Sequence, residues 1–180
     1  MRRLLSFTVA LALFAAAASA LAQAPPEFPK PGPEHAMLKQ LEGTWDCVMT
    51  MHGSPAPLNA VATYKMELGG LWLASDFKCD SPAFKFQGRG LDSYDQASKK
   101  YVSVWVDSMV TSPMMLTGTY DEATKKLTMT GEAPGPSGKP EKVKTVSLMK
   151  DADHMTFQFF MIGEGGTETQ AFSIEYTRRK

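Results

Sequence analysis

GLDSYDQASKKYVSVWVD, residues 90–107, is the stretch that decides the fold. Its C-terminal half alternates Tyr101, Ser103, Trp105 and Asp107 with Val102, Val104 and Val106, the two-residue period of a β-strand. Periodicity alone leaves open which of the two faces points inward. Ahead of it, the Asp95 side chain can reach backbone N–H groups further along the chain and close a short hairpin loop. YDEATKKL at 120–127 repeats YDQASKKY at 94–101: Tyr-Asp, an Ala followed by Ser or Thr, then paired lysines. Read as a turn, the repeat needs no bound partner. It predicts consecutive strands paired antiparallel, in an up-and-down meander without crossover helices.

The same period runs outward in both directions. Strand-like segments fall at about 44–51, 60–68, 71–79, 84–94, 100–107, 114–120, 126–132, 141–149, 154–162 and 168–178, separated by Gly, Pro, Asp, Ser and Lys clusters. In the first, Trp45, Cys47, Met49 and Met51 share a face opposite Asp46, Val48 and Thr50. Leu71, Leu73, Phe77 and Cys79 oppose Asp76 and Lys78 in the third. Met155, Phe157, Phe159 and Met161 oppose His154, Thr156 and Gln158 in the ninth, and Phe172, Ile174 and Tyr176 oppose Ser173, Glu175 and Thr177 in the last. One apolar and one polar face per strand is the pattern of a sheet wrapped round a core. Only Glu34–Leu41 reads as a helix, with Leu38 and Leu41 on one face and Gly43 ending the turn. The expected fold is all-β: a closed antiparallel up-and-down β-barrel of about ten strands with one short N-terminal helix.

The beginning of the chain points to export. Arg2 and Arg3, an uncharged run from Leu4 to Ala18 and the small-x-small triplet Ala20-Leu21-Ala22 form a signal-peptide pattern, with cleavage expected after Ala22. The run is short of the roughly 20 apolar residues of a membrane span, so no integral span is expected once residues 1–22 are gone. A periplasmic or secreted location follows. Residues 23–33, QAPPEFPKPGP, read as an extended Pro-rich leader, and residues 34–180 as the barrel domain. Without Arg2 and Arg3, 17 basic residues face 19 acidic ones. That balance gives no basic footprint for nucleic acid.

The segments EHAMLKQLEGTWDC (34–47), LGGLWLASDF (68–77), FQGRGLDSYDQASKKYVSVWVDSM (86–109), LTGTYDEATKKLTMTGE (116–132) and TETQAFSIEYTRRK (167–180) resemble the bacterial domain of unknown function 1579 family. The resemblance covers nearly all of the chain after residue 33. It is similar in outline to the lipocalin-like (calycin-type) barrels, in which Gly-x-Trp begins the first strand, here Gly43-Thr44-Trp45. The resemblance implies a barrel and carries no activity with it.

Catalytic machinery has few candidates. None of His35, His52 and His154 has a second ligand at metal spacing or a nucleophile partner, and each reads as solvated. Gly88-Arg89-Gly90 lies inside a strand, where paired glycines read as a bulge or barrel bend rather than a phosphate loop. Of Asp92, Asp95 and Asp107, Asp95 is taken up by its turn. Asp107, near Trp105, stays of interest as an inward carboxylate that holds a polar ligand group or simply bonds Arg89 or Tyr101. Some ten-stranded barrels hold haem through a His near the C-terminal end; ETQAFSIEYTRR has none, and no metal or cofactor is expected.

Twelve methionines, with Met49, Met66, Met114, Met115, Met129, Met149, Met155 and Met161 in strands, give an adaptable apolar interior. The expected ligand wall is Trp45, Met49, Phe77, Phe86, Trp105, Asp107, Phe159 and Tyr176, facing a small lipophilic or amphipathic ligand. Two alternatives stand beside it: a filled barrel with a structural or interaction role in the cell envelope, and an enzyme of unrecognised machinery. The two cysteines also have two readings. Export favours a Cys47–Cys79 disulfide, whereas their places on the first and third strands favour two buried thiols.

Overall fold

In the computed structural model, which describes residues 28–180 except 55, 83, 136 and 137, the two look-alike turns make the same hairpin. Asp95 accepts hydrogen bonds from the N–H groups of Ala97 (3.0 Å) and Ser98 (3.2 Å), and Asp121 from those of Ala123 (2.8 Å) and Thr124 (3.1 Å). Lys99 (φ 54°) and Lys125 (φ 57°) then carry the chain through the left-handed region into the returning strand. The Asp bonds hold that loop although no glycine occupies the left-handed position.

Ten strands follow one another in this way: β1 (Gly43–Met51), β2 (Leu58–Glu67), β3 (Trp72–Asp80), β4 (Lys85–Asp95), β5 (Lys100–Asp107), β6 (Met114–Asp121), β7 (Lys126–Pro134), β8 (Pro140–Met149), β9 (His154–Ile162) and β10 (Glu168–Arg178). Each pairs antiparallel with its neighbour in sequence, and β10 returns to pair with β1, so the barrel closes. Closure leaves no edge strand to attract another chain. The expected signal segment and the leader as far as residue 27 lie outside the described residues.

One end of the barrel is plugged. Helix α1 (Pro33–Lys39) begins on a proline suited to a first helical position and lays Leu38 over the core. Trp45 is fully buried beneath it, its Nε1–H donating to the Leu41 carbonyl at 2.9 Å. Arg178 lies over the indole, its guanidinium carbon 4.1 Å from the ring centroid. The same guanidinium donates to the carbonyls of Gln40 (2.7 Å), Ala152 (2.9 Å) and Glu42. Of these, the Gln40 carbonyl is one that the helix end leaves without a partner. His35 belongs to this plug and is not solvated: it is buried, edge-on to Tyr94, and its Nδ1 accepts the Gly32 N–H at 3.0 Å. His52 and His154 are exposed.

Two further readings are decided. Gly88 and Gly90 mark no bulge, because β4 runs in unbroken register with both β3 and β5; the register shift falls in β10, between Gln170 and Phe172. Nor are the cysteines bridged; both are free, buried thiols. Cys47 faces Ala60 across β1–β2, and one step beyond the Val61–Lys78 pair puts Cys79 across from the same alanine. Two strand spacings separate the Cα atoms by roughly 10 Å, beyond the roughly 7 Å that a disulfide spans. Each thiol turns to a carbonyl at 3.6 Å, Cys47 to Trp45 and Cys79 to Phe84. Burial pushes the Cys47 thiol up to about 12, which keeps it protonated and unreactive.

Candidate functional site

The strands enclose a cavity of about 360 Å³, inside the size range of small-molecule sites. It runs from Leu38 and Leu41 at the plugged end to Met51, Phe84, Met109, Val110 and Pro134 at the far rim. There the connection between β5 and β6 leaves Met109 66% exposed.

Strand β5 turns its polar-aromatic face inward. Ser103, Trp105 and Asp107 meet the cavity, while Val106 is exposed on the outside. The glycines of β4 make this arrangement fit. Gly90 is the register partner of Trp105, and a Cβ on Gly88 would lie 2.1 Å from Trp105 Cζ2. The bare backbone of β4 is therefore the bed on which the indole lies.

Phe86 stacks on Trp105 with centroids 6.4 Å apart, Phe84 stacks on Phe86 at 5.8 Å, and Phe77 meets Phe86 edge-on at 6.0 Å. Across the barrel, on β9 and β10, Phe159 stacks on Phe172 at 5.0 Å and Phe157 lies beside them. The cavity thus has two aromatic walls, with Met49, Met114, Met129 and Met155 also lining it.

Asp107 holds one of these walls in place. Its carboxylate accepts from Trp105 Nε1 (3.0 Å) and from the Met109 N–H (2.8 Å), fixing both the indole and the start of the rim loop. It bonds neither of the partners expected for it. Arg89 points outward to Asp76 at 2.6 Å, and Tyr101 donates to the Glu34 carbonyl at 3.2 Å.

Asp92 is the residue that sequence reasoning passed over. It sits on the inner face of β4 opposite Ser103 and Leu73, and reaches the cavity deep inside the barrel. Burial pushes its carboxyl up to about 6, with a hydrogen bond to Ser103 pulling partly the other way. Tyr64 on β2 and Tyr176 on β10 complete a polar cluster with it. Burial drives both phenols well above their ordinary range, and the nearby Asp92 charge adds to this. Ser75, Thr145 and Ser147 contribute further hydroxyls, and no Lys, Arg or His is among the described lining residues.

Met49, Phe77, Phe86, Trp105, Asp107, Phe159 and Tyr176 all lie on the cavity wall, whereas Trp45 is sealed into the plug beneath it. Met66 and Met161 pack against the core cluster near α1, Met149 packs against the other, and Met115 faces outward, 63% exposed. The described residues contain no group of three or more His, Cys, Asp or Glu that could hold a metal ion, and no helix long and apolar enough to cross a membrane.

Solved structures of similar architecture include the crystal structure of Rv2717c from M. tuberculosis. It is 13% identical with a TM-score of 0.60, over 83% of this chain and 99% of that one. The S-type phycobiliprotein lyase CPES from Guillardia theta is 8% identical with a TM-score of 0.55, over 82% of this chain and 93% of its own. At such identities the likeness is one of fold. No curated protein matches the chain. The model of the family described as protein of unknown function (DUF1579) matches residues 30–178, which take in α1 and all ten strands, and the chain belongs to that family.

Proposed function

We propose that this chain is a binding protein that holds a small amphipathic molecule inside its barrel. The cavity carries the reading: about 360 Å³ of space between aromatic and methionine walls, with a few hydroxyls and one carboxylate at depth. A barrel with a purely structural role gains stability by filling such a space with its own side chains, since voids cost packing energy. Mobile thioethers beside fixed aromatic rings suit a guest of variable shape. A barrel of this architecture also serves as a phycobiliprotein lyase in Guillardia theta. The signal-peptide pattern supports a place outside the cytoplasm, with a mature chain that begins at Gln23.

Native mass spectrometry of the protein purified from its own host tests the reading. A co-purifying small apolar mass supports it. A chain that arrives empty and binds neither an apolar fluorescent dye nor a long-chain amphiphile overturns it. Asp92 supports a second reading, proton transfer to a bound substrate, because a carboxyl titrating near neutrality inside a cleft suits a general acid or base.

A further inference from the structure

A charge asymmetry inside the cavity points to the kind of head group it takes. Two carboxylates, Asp92 and Asp107, face it, and no described lining residue is basic. Asp107 is already engaged by Trp105 Nε1 and the Met109 N–H near the rim. Asp92 lies deeper, across from Ser103 in the β4–β5 register. The titratable groups that face it from the surrounding strands are Tyr64 on β2 and Tyr176 on β10, both held in their neutral forms by burial. A carboxylate has room for about four hydrogen bonds, and a buried one without a cation is costly.

We propose that Asp92 is the head-group site of the cavity, and that the natural guest is an apolar chain or ring system ending in a protonated amine. The ammonium donates to the Asp92 carboxylate and to neighbouring hydroxyls such as those of Ser75 and Ser103, while its apolar body lies between the Trp105–Phe86 wall and the Phe159–Phe172 wall. The same asymmetry rejects a fatty acid, whose carboxylate would meet Asp92 with no cation between them. The inference rests on the reading of the barrel as a binding protein and goes beyond it in naming the ligand's chemistry.

Calorimetric titration of the purified protein with dodecylamine, dodecan-1-ol and dodecanoate separates the two claims, because the three probes share one apolar chain. At pH 8 the amine is expected to bind about tenfold or more tightly than the alcohol, as one charge-assisted hydrogen bond warrants, and dodecanoate most weakly. Lowering the pH to 5 protonates Asp92 and should shrink the amine's advantage. Asp92→Asn should abolish that advantage, and a circular dichroism spectrum matching the parent's shows that the variant is folded. Equal binding of amine and alcohol, preferred binding of dodecanoate, or an amine advantage that survives Asp92→Asn overturns the head-group assignment and leaves the cavity reading standing. Failure of all three probes to bind overturns both.

Discussion

Asp92→Asn is expected to make the protein more stable at neutral and alkaline pH. Asparagine keeps the size and shape of the side chain and a group that still reaches Ser103, and it removes one buried charge. In the unfolded chain Asp92 titrates near its ordinary 3.8; in the barrel, burial raises it to about 6. Between those values the folded state binds a proton that the unfolded state has released, so stability falls as pH rises through that window. The contribution of Asp92 to stability is therefore most favourable below about pH 4, and it has been lost above about pH 6. The interval corresponds to about 3 kcal/mol, at 1.36 kcal/mol per pH unit. Asparagine escapes that penalty but keeps the cost of burying a polar group, which leaves an expected gain of about 1–3 kcal/mol for the variant at pH 8, measured against its effect at pH 4. Urea unfolding of both proteins at the two pH values, followed by tryptophan fluorescence, reads this as a shift in midpoint at constant slope. A variant no more stable than the parent at pH 8, or shifted equally at both pH values, would refute the reasoning. Asp92 would then be solvated or balanced by a cation.

Trp45→Ala removes the centre of the plug and the face on which Arg178 rests, and should cost about 3–5 kcal/mol in denaturant melts as a large-to-small core change; a loss below about 1 kcal/mol would contradict its burial. Gly88→Ala puts a methyl group where the Trp105 ring lies, so it should cost about 1–3 kcal/mol as overpacking and displace the indole, visible as changed tryptophan emission and weakened probe binding. Thiol counting on unreduced, denatured protein should find two thiols per chain and, on the native protein, almost none; no thiols after denaturation would mean that β2 does not hold Cys47 and Cys79 apart. N-terminal sequencing of protein recovered from the envelope or medium should begin at Gln23, and an intact Met1 there would overturn export.

The architecture was legible because the chain states it repeatedly and locally. The Asp95 and Asp121 turns announce hairpins, and strands such as β1, β9 and β10 carry their apolar faces in plain alternation. Each hairpin depends on a few adjacent residues, so reading them in order yields the meander. Closure of β10 onto β1 follows once the sheet must bury one face all the way round. The position of the cysteines was less legible, because compartment chemistry and strand order argued in opposite directions. Register decided between them: Ala60 stands in the row between the two thiols.

The head-group carboxylate was missed for a related physical reason. On β4 the alternation is inverted: Leu91 is outside and 42% exposed, while Asp92 points inward. Ahead of Asp92, the inward positions 88 and 90 are glycines, which carry no hydrophobic signal of their own. Phe86, expected on the ligand wall, shares the face of Asp92, but the two glycines between them break the apolar run that would have tied the carboxylate to it. The β5 face was ambiguous for the complementary reason, since its valines go outside so that Trp105 and Asp107 can meet the cavity. The two adjacent strands that break the pattern are the ones that supply the indole, the bare backbone it lies on and the buried carboxylate. Local rules of burial fail where a fold gives up stability for a site. The expected stabilisation by Asp92→Asn measures what this barrel gives up there.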